Sequence, residues 1–204
     1  KITFANEDRE EGIFVDGRLN GQGKATFANG EVLEGNFVAG ALHEGKATFR
    51  DGHVEEGVRL NGWLHGQGKA TLANGEVQEG NFVNGVLHEG KVAYTDGHAE
   101  EGVYVDGESY IGWLHGPGKV AYADGGTIEG TFVNGYIDKG MANNVKCDDG
   151  STYTGRIVNG LPTGLRTTWA GRAGHSGPGA LAAAALHCSW SQPTTSSSSS
   201  YSSD

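Results

Sequence analysis

The chain has 204 residues, a formal net charge of −10, 36% hydrophobic residues and 36 glycines. So little apolar material argues against a compact two-layer core and favours an extended sheet in which each unit contacts only its neighbours. The negative charge argues against binding of nucleic acid or acidic lipid, because both need lysine and arginine to neutralise their phosphates.

A glycine-anchored phrase recurs along the chain from its beginning. Residues 17–57 and 62–102 align without gaps and are identical at most positions, and such fixed-period self-similarity indicates a repeat architecture. Lys1–Asn6 aligns with Lys24–Asn29, so the chain begins in the middle of a unit and we expect a segment upstream. The anchors of successive units are Gly12, Gly35, Gly57, Gly80, Gly102, Gly130 and Gly155, and an insertion at 108–112 lengthens one of the later intervals.

Each unit is predicted to form one β-hairpin. Two short β-prone runs alternate, for example 34–38 (EGNFV) and 46–49 (KATF), and Asn-Gly or Asp-Gly dipeptides separate them. We expect type I′ turns at these dipeptides, and positive φ at Gly62 and Gly85. The predicted fold is all-β: an elongated, single-layer antiparallel sheet of stacked hairpins over residues 1–164. The dipeptides are Asn29-Gly30, Asp51-Gly52, Asn74-Gly75, Asp96-Gly97 and Asp124-Gly125.

Residues 165–204 form a separate extension that is rich in glycine, alanine and serine. Ala180–Leu186 is predicted as a short helix. The final serine tract is predicted to be disordered, because it cannot bury enough apolar surface to fold. Whether Cys147 and Cys188 pair stays open, and neither has the spacing of a metal ligand.

Side chains in a strand alternate between faces, so stacked units turn each position into a column. The aromatic column and two tryptophans in equivalent units form the candidate protein-binding surface. Two readings stay open: the rings pack between units and hold the sheet, or part of this face is an open groove for a partner. The candidate residues are Trp63, Trp113, Phe37, Phe82, Tyr104 and Phe132.

Charged and histidine columns are also periodic. His43, His65, His88 and His115 are predicted to occupy the same position in the inner turn of each unit. Equivalent atoms of successive hairpins lie about 10 Å apart, too far to share one zinc ion, so we expect these histidines to pack within their own units. His53 and His98 are expected to be solvated. The glutamate and lysine columns indicate either a self-neutralising face or an acidic strip that steers a basic partner.

No arrangement of catalytic residues is visible in the sequence. Gly21-Gln22-Gly23-Lys24 superficially resembles a phosphate loop, but a strand rather than a helix follows it, and no nucleophile elbow is present. We therefore expect no enzyme activity, no metal and no cofactor.

The unit G-x-[F/Y]-x-x-G-x-L-H-G-x-G-K-x-x-[F/Y]-x-x-G resembles the MORN repeat (membrane occupation and recognition nexus). The best match is Gly57–Lys69, Gly102–Lys119 matches apart from its insertion, and the resemblance covers about 160 residues. The family usually has tyrosine two residues before the anchor glycine, whereas this chain has Leu33, Glu55, Gln78, Glu100 and Ile128 there and only Tyr153 fits. In this respect the units are similar to the degenerate repeats of SET-type histone lysine methyltransferases.

The resemblance implies a binding role, since family members act as scaffolds or targeting modules in membrane junctions, cytoskeletal and ciliary assemblies, or as appendages of kinases and methyltransferases. Our main expectation is a non-catalytic protein-interaction scaffold in a larger assembly. The partners are expected to be proteins, not nucleic acids, acidic membranes or small molecules. Two alternatives stay open: the regulatory repeat region of a longer enzyme, and a lipid-binding module. The compartment is not determined by the sequence.

Overall fold

The computed structural model describes residues 1–105, 112–147 and 150–163. Within these ranges the chain forms one open antiparallel sheet of fifteen strands, each paired with its successor in the sequence. The predicted all-β hairpin sheet is confirmed. The helix expected at 180–186, the tail and Cys188 lie outside the described residues. The strands are β1 Ile2–Thr3, β2 Arg9–Val15, β3 Arg18–Thr26, β4 Val32–Val38, β5 Ala41–Thr48, β6 Val54–Leu60, β7 Trp63–Thr71, β8 Val77–Val83, β9 Val86–Ala93, β10 Ala99–Val105, β11 Trp113–Ala121, β12 Thr127–Val133, β13 Tyr136–Lys146, β14 Thr152–Val158 and β15 Leu161–Thr163.

Helices that could cross a membrane are absent from these three ranges.

The tightest hairpins close through two-residue turns in which both residues have positive φ. Asn61 and Gly62, for example, have φ of 52° and 86°, which is the type I′ geometry that matches the twist of antiparallel strands. The positive φ expected at Gly62 and Gly85 is therefore confirmed. These turns are Asp16-Gly17, Ala39-Gly40, Asn61-Gly62, Asn84-Gly85, Asn134-Gly135 and Asn159-Gly160.

The opposite ends of the strands carry the Asn-Gly and Asp-Gly dipeptides at which we predicted type I′ turns. This prediction of the turn type is wrong. Gly30 has positive φ, but Asn29 does not. The Gly30 N–H donates to the carbonyl of Phe27, and the Phe27 N–H donates to that of Glu31, both at 2.9 Å. The loop is thus a type I turn followed by a glycine bulge. The Asn29 side chain accepts the Glu31 N–H at 2.9 Å, and this local bond favours the longer loop.

The anchor glycines belong to a row of glycines across the sheet, in which the anchor Gly35 pairs with Gly23 on one side and with Gly45 on the other. A Cβ at Gly35 would lie 2.2 Å from the carbonyl oxygen of Glu44. The recurring glycine is therefore required because the strands approach too closely at this row to admit a side chain.

The two faces of the sheet differ sharply, and we call them the core face and the outer face. The core face buries a column of leucine, phenylalanine, tyrosine and isoleucine together with a row of small or aliphatic residues. Its buried cluster is divided into a part around Phe37 and a part that begins at Leu64. The division falls at β6, where Glu55 and Arg59 occupy core-face positions.

Candidate functional site

The six residues expected to form one binding surface lie on opposite faces of the sheet. Four of them are buried on the core face with 1–3% of their surface exposed: Phe37, Phe82, Tyr104 and Phe132. Trp63 and Trp113 are 55% and 43% exposed. Side chains alternate between faces along a strand, and the residues that follow the tryptophans, Leu64 and Leu114, are buried on the core face, so both tryptophans lie on the outer face. A single surface of all six residues does not occur, and only the two tryptophans offer accessible rings.

Each tryptophan covers the turn of the next hairpin. The Trp63 ring lies 3.0 Å from where a Cβ of Gly85 would be, and Trp113 has the same relation to Gly135. The Gly85 N–H donates to the Leu64 carbonyl at 2.8 Å, which fixes the turn beneath the ring. The tryptophans therefore combine packing between hairpins with an exposed apolar surface.

The tryptophans belong to a longer exposed feature, which we call the apolar strip. At each two-residue turn the residue before the turn pairs directly with the residue after it, so both side chains point to the same face. From the second such turn onward both members are apolar, and most are well exposed. The strip consists of the pairs Val38–Ala41, Leu60–Trp63, Val83–Val86, Val133–Tyr136 and Val158–Leu161, together with Val105–Trp113, which pair in the same way although seven residues separate them in the sequence.

The strip was not predicted from the sequence, although the sequence carries a signal for it. An apolar residue directly precedes each two-residue turn, as in Val83-Asn84-Gly85 and Val133-Asn134-Gly135. The valine column was assigned no role, because a valine before a turn is equally consistent with ordinary strand propensity.

The charged columns form a ladder beside the strip on the outer face. The ammonium groups lie near glutamates of the next strand, with Lys24–Glu34 at 3.2 Å, Lys46–Glu56 at 3.0 Å and Lys1–Glu11 at 2.5 Å. Hydrogen bonding to Lys1 lowers the pKa of Glu11. Among these described pairs the face neutralises itself, so it supplies little steering of a partner and little stability.

The histidine column lies in strands rather than in turns. The Asn134 N–H, in the turn of the next hairpin, donates to His115 Nδ1 at 3.3 Å, so this histidine makes a contact beyond its own unit. The described part of the chain contains no group of three or more ligand side chains that could hold a metal ion.

His53 and His98 were expected to be solvated, and this is wrong. His53 stacks on Phe49 and His98 stacks on Tyr94, both with ring centroids 3.9 Å apart. The glycine-bulge loop folds each imidazole back over the aromatic residue that precedes the loop, so these rings face the core side of the sheet.

A largely buried ion pair lies next to the first of these stacks, and we call this group the Glu55 cluster. Arg59 donates to Glu55 through one guanidinium nitrogen and to the Gly62 carbonyl through the other. The two side chains are only 10% and 13% exposed. The guanidinium carbon lies 5.8 Å from the Phe49 ring centroid, and His53 Nε2 lies 3.4 Å from Glu55. Glu55 is therefore compensated by a cation of its own chain.

An equivalent group occurs 45 residues later (94 − 49 = 45), and we call it the Glu100 cluster. The aspartate, histidine and glutamate of the Glu55 cluster recur here, whereas its phenylalanine and its arginine are both replaced by tyrosine. The residues that correspond to Phe49, Asp51, His53, Glu55 and Arg59 are Tyr94, Asp96, His98, Glu100 and Tyr104. The Tyr94 hydroxyl donates to Glu100 at 3.3 Å, and Asp96 accepts from His98 Nδ1. The position of the arginine is taken by a tyrosine.

The ionisation of the Glu100 cluster is perturbed by burial. Burial raises the pKa of Glu100, against a smaller opposing effect of His98. Burial and then the charge of Glu100 raise the pKa values of Tyr94 and Tyr104, and raise that of Tyr122 to about 12. The three tyrosines thus lie within electrostatic reach of one carboxylate.

Comparison with known proteins identifies the repeating unit. The family model of the MORN repeat matches three segments, residues 11–32, 60–77 and 106–127. These segments include the whole of strands β3, β7 and β11, whereas the hairpins of β5 and β9 have the same architecture without a match. A search of the curated proteins finds no relative of the chain. The expected resemblance is confirmed: the chain contains MORN repeats.

Proposed function

Starting from MORN repeats as the building unit of this chain, we propose that it is a non-catalytic scaffold that binds protein partners along the apolar strip. The observation that carries the proposal is the line of apolar pairs on the outer face, most of whose members are exposed. Leu60, Trp63 and Val133 are 48%, 55% and 47% exposed. Contiguous exposed apolar surface of this kind is typical of an interaction site.

The spacing of the strip favours an amphipathic helix as its occupant. Successive pairs are one hairpin apart, which is two strand spacings or about 9.6 Å. Seven residues of an α-helix advance about 10.5 Å. A helix lying across the strands, with an apolar residue at every seventh position, would therefore meet one pair of the strip with each such residue.

Charge favours basic flanks on that helix. The glutamates of the ladder are paired with lysines, but Glu44 and Glu89 are exposed and lie opposite Asn36 and Asn81 instead. With the net charge of −10, these carboxylates favour lysine or arginine beside the apolar residues of the partner. Their contribution is to orientation and association rate more than to affinity.

The test uses designed helical peptides and fluorescence anisotropy. One 28-residue peptide carries leucine at every seventh position among helix-forming polar residues, with lysines beside each leucine. The second has the same composition with the leucines at every fifth position. We expect the first peptide to bind at least tenfold more tightly, and the Trp63→Ala/Trp113→Ala double variant to weaken its binding.

Met141→Ala is the matched control, because Met141 is 51% exposed on the outer face but lies in the row of the charged ladder. It should bind like the parent protein. Equal affinity for both peptides, or unchanged binding by the double variant with its β-sheet circular dichroism intact, would contradict the proposal. Flotation with liposomes containing acidic lipid addresses the lipid-binding alternative, and we expect no flotation at this net charge.

A further inference from the structure

The Glu100 cluster is an altered copy of the Glu55 cluster. In the Glu55 cluster the guanidinium of Arg59 lies between a carboxylate and the Phe49 ring. In the Glu100 cluster the carboxylate and the ring are retained as Glu100 and Tyr94, but the cation is replaced by Tyr104. A half-buried carboxylate is costly unless a cation or several hydrogen bonds compensate it.

The described part of the chain gives Glu100 little compensation. One hydrogen bond reaches it, from Tyr94. His98 is engaged through Nδ1 with Asp96, and its buried Nε2 has no hydrogen-bond partner among the described residues. The hydroxyl of buried Tyr104 approaches the backbone of Val92 without completing a hydrogen bond. The amide nitrogen of Gln78, the residue that pairs with Val92 on the neighbouring strand, is likewise unpartnered. Three side chains that are more than nine-tenths buried therefore hold unsatisfied polar atoms in this part of the core face.

We propose that Glu100, with the rings of Tyr94, Tyr104 and Tyr122, binds an alkylammonium group, of the kind that a lysine side chain of a partner protein carries. The ammonium takes the role that Arg59 has in the Glu55 cluster: it neutralises the carboxylate and lies against the aromatic ring. An ammonium is stabilised by the faces of aromatic rings within about 6 Å. Glu100, Tyr94 and Tyr122 are all partly exposed, so the group is accessible from solvent.

The chemistry distinguishes this ligand from a metal ion. One carboxylate and three neutral phenols supply too few anionic oxygens for a divalent cation. Burial also raises the pKa values of the phenols, so they stay protonated at neutral pH. A compact monocation with an apolar stem fits better, because its methylene groups can pack on the rings.

The test is a titration of the protein followed by NMR of ¹³C-labelled tyrosine rings. The probes are Nα-acetyl-lysine N-methylamide, its Nζ-acetylated analogue, which lacks the charge, and butylammonium chloride. We expect the first and third probes to shift the ring signals of Tyr94 and Tyr122, and the acetylated analogue to have no effect. Tighter binding of the capped lysine assigns the site to a protein side chain, and tighter binding of butylammonium assigns it to a free amine.

Two substitutions test the site from opposite directions. Glu100→Gln removes the charge and should lower the affinity for the ammonium probes at least tenfold. Tyr104→Arg restores the arrangement of the Glu55 cluster and should also abolish binding, because the chain then supplies its own cation. Glu101→Gln makes the same charge change on the outer face of the same strand and should leave the affinity unchanged.

Ring shifts that persist unchanged in Glu100→Gln would overturn the proposal, as would equal binding of the acetylated analogue. The Trp63→Ala/Trp113→Ala variant should bind the ammonium probes normally, since the apolar strip lies on the opposite face. The outcome is therefore independent of the proposed function.

Discussion

Removal of the charge from two equivalent glutamates should change the stability of the protein in opposite directions. Glu55→Gln leaves the guanidinium of Arg59 without its carboxylate. Loss of one partner from a buried ion pair costs about 3–5 kcal/mol. The glutamine oxygen can still accept one hydrogen bond, so we expect a loss of about 2–3 kcal/mol in the free energy of unfolding at pH 7.

Glu100→Gln should instead stabilise the protein at pH 7, because it removes a half-buried carboxylate that lacks a cation. The amide oxygen can still accept the Tyr94 hydroxyl, which lies 3.3 Å from Glu100. The pKa of Glu100 is raised in the folded state above its ordinary value of 4.5, so the folded protein binds the proton more tightly than the unfolded chain does. The destabilisation by the carboxylate is therefore absent below pH 4.5 and grows as the pH rises through the folded-state pKa.

The assay is urea unfolding followed by circular dichroism, with the free energy extrapolated at constant m-value. The gain of Glu100→Gln over the parent should be present at pH 7 and vanish near pH 4. Glu101→Gln, at an exposed position, should stay within about 0.5 kcal/mol of the parent. A loss for Glu100→Gln comparable to that for Glu55→Gln would refute the reasoning, because it would mean that the chain already compensates Glu100.

Three further predictions follow from the turns, the buried pair and the strip. Ala39 has φ of 51° where the equivalent turns carry Asn or Asp, so Ala39→Asn should raise the free energy of unfolding by about 1 kcal/mol, whereas Ala28→Asn outside the positive-φ positions should not. Gly85→Val should destabilise more than Gly62→Val in urea unfolding, since both require positive φ but only the Cβ at Gly85 meets the Trp63 ring. The double variant Glu55→Leu/Arg59→Phe carries the residue types that other units have at these positions, and it should recover most of the free energy of unfolding that Glu55→Gln loses. If the losses of the single variants Glu55→Leu and Arg59→Phe simply added in the double variant, this prediction would be contradicted.

The periodic part of the fold could be predicted from the sequence because each unit repeats the same local signals. The hairpins, the single sheet and the positive φ of Gly62 follow from the glycine spacing and the alternation of side chains. The turn types were assigned to the wrong ends, since Asn-Gly and Asp-Gly occur in both kinds of loop. In the longer loop, residues such as Asn29 lack the positive φ and accept a backbone N–H with the side chain instead.

The candidate sites were less predictable, because they depend on which face a residue occupies and on departures from the repeat. The sequence left open whether the aromatic column is packed or partly exposed, and in the sheet its rings are buried together with leucines of neighbouring strands. Glu55 and Glu100 were recorded as departures at the tyrosine position, and Arg59 interrupts the aromatic column. That the arginine and the first glutamate form a pair, while the second glutamate has no such partner, depends on the three-dimensional register.

Photo-crosslinking tests the proposed seven-residue register of a helix on the apolar strip most directly. Benzoylphenylalanine is placed singly at Val38, Leu60 and Val83, three successive positions of the strip, and at Met141 as a control, and each variant is irradiated with the heptad peptide. We predict cross-links to peptide residues that shift by seven positions from one variant to the next, with none from Met141. Cross-links from all three positions to the same peptide residue, or equal cross-linking from Met141, would contradict the account.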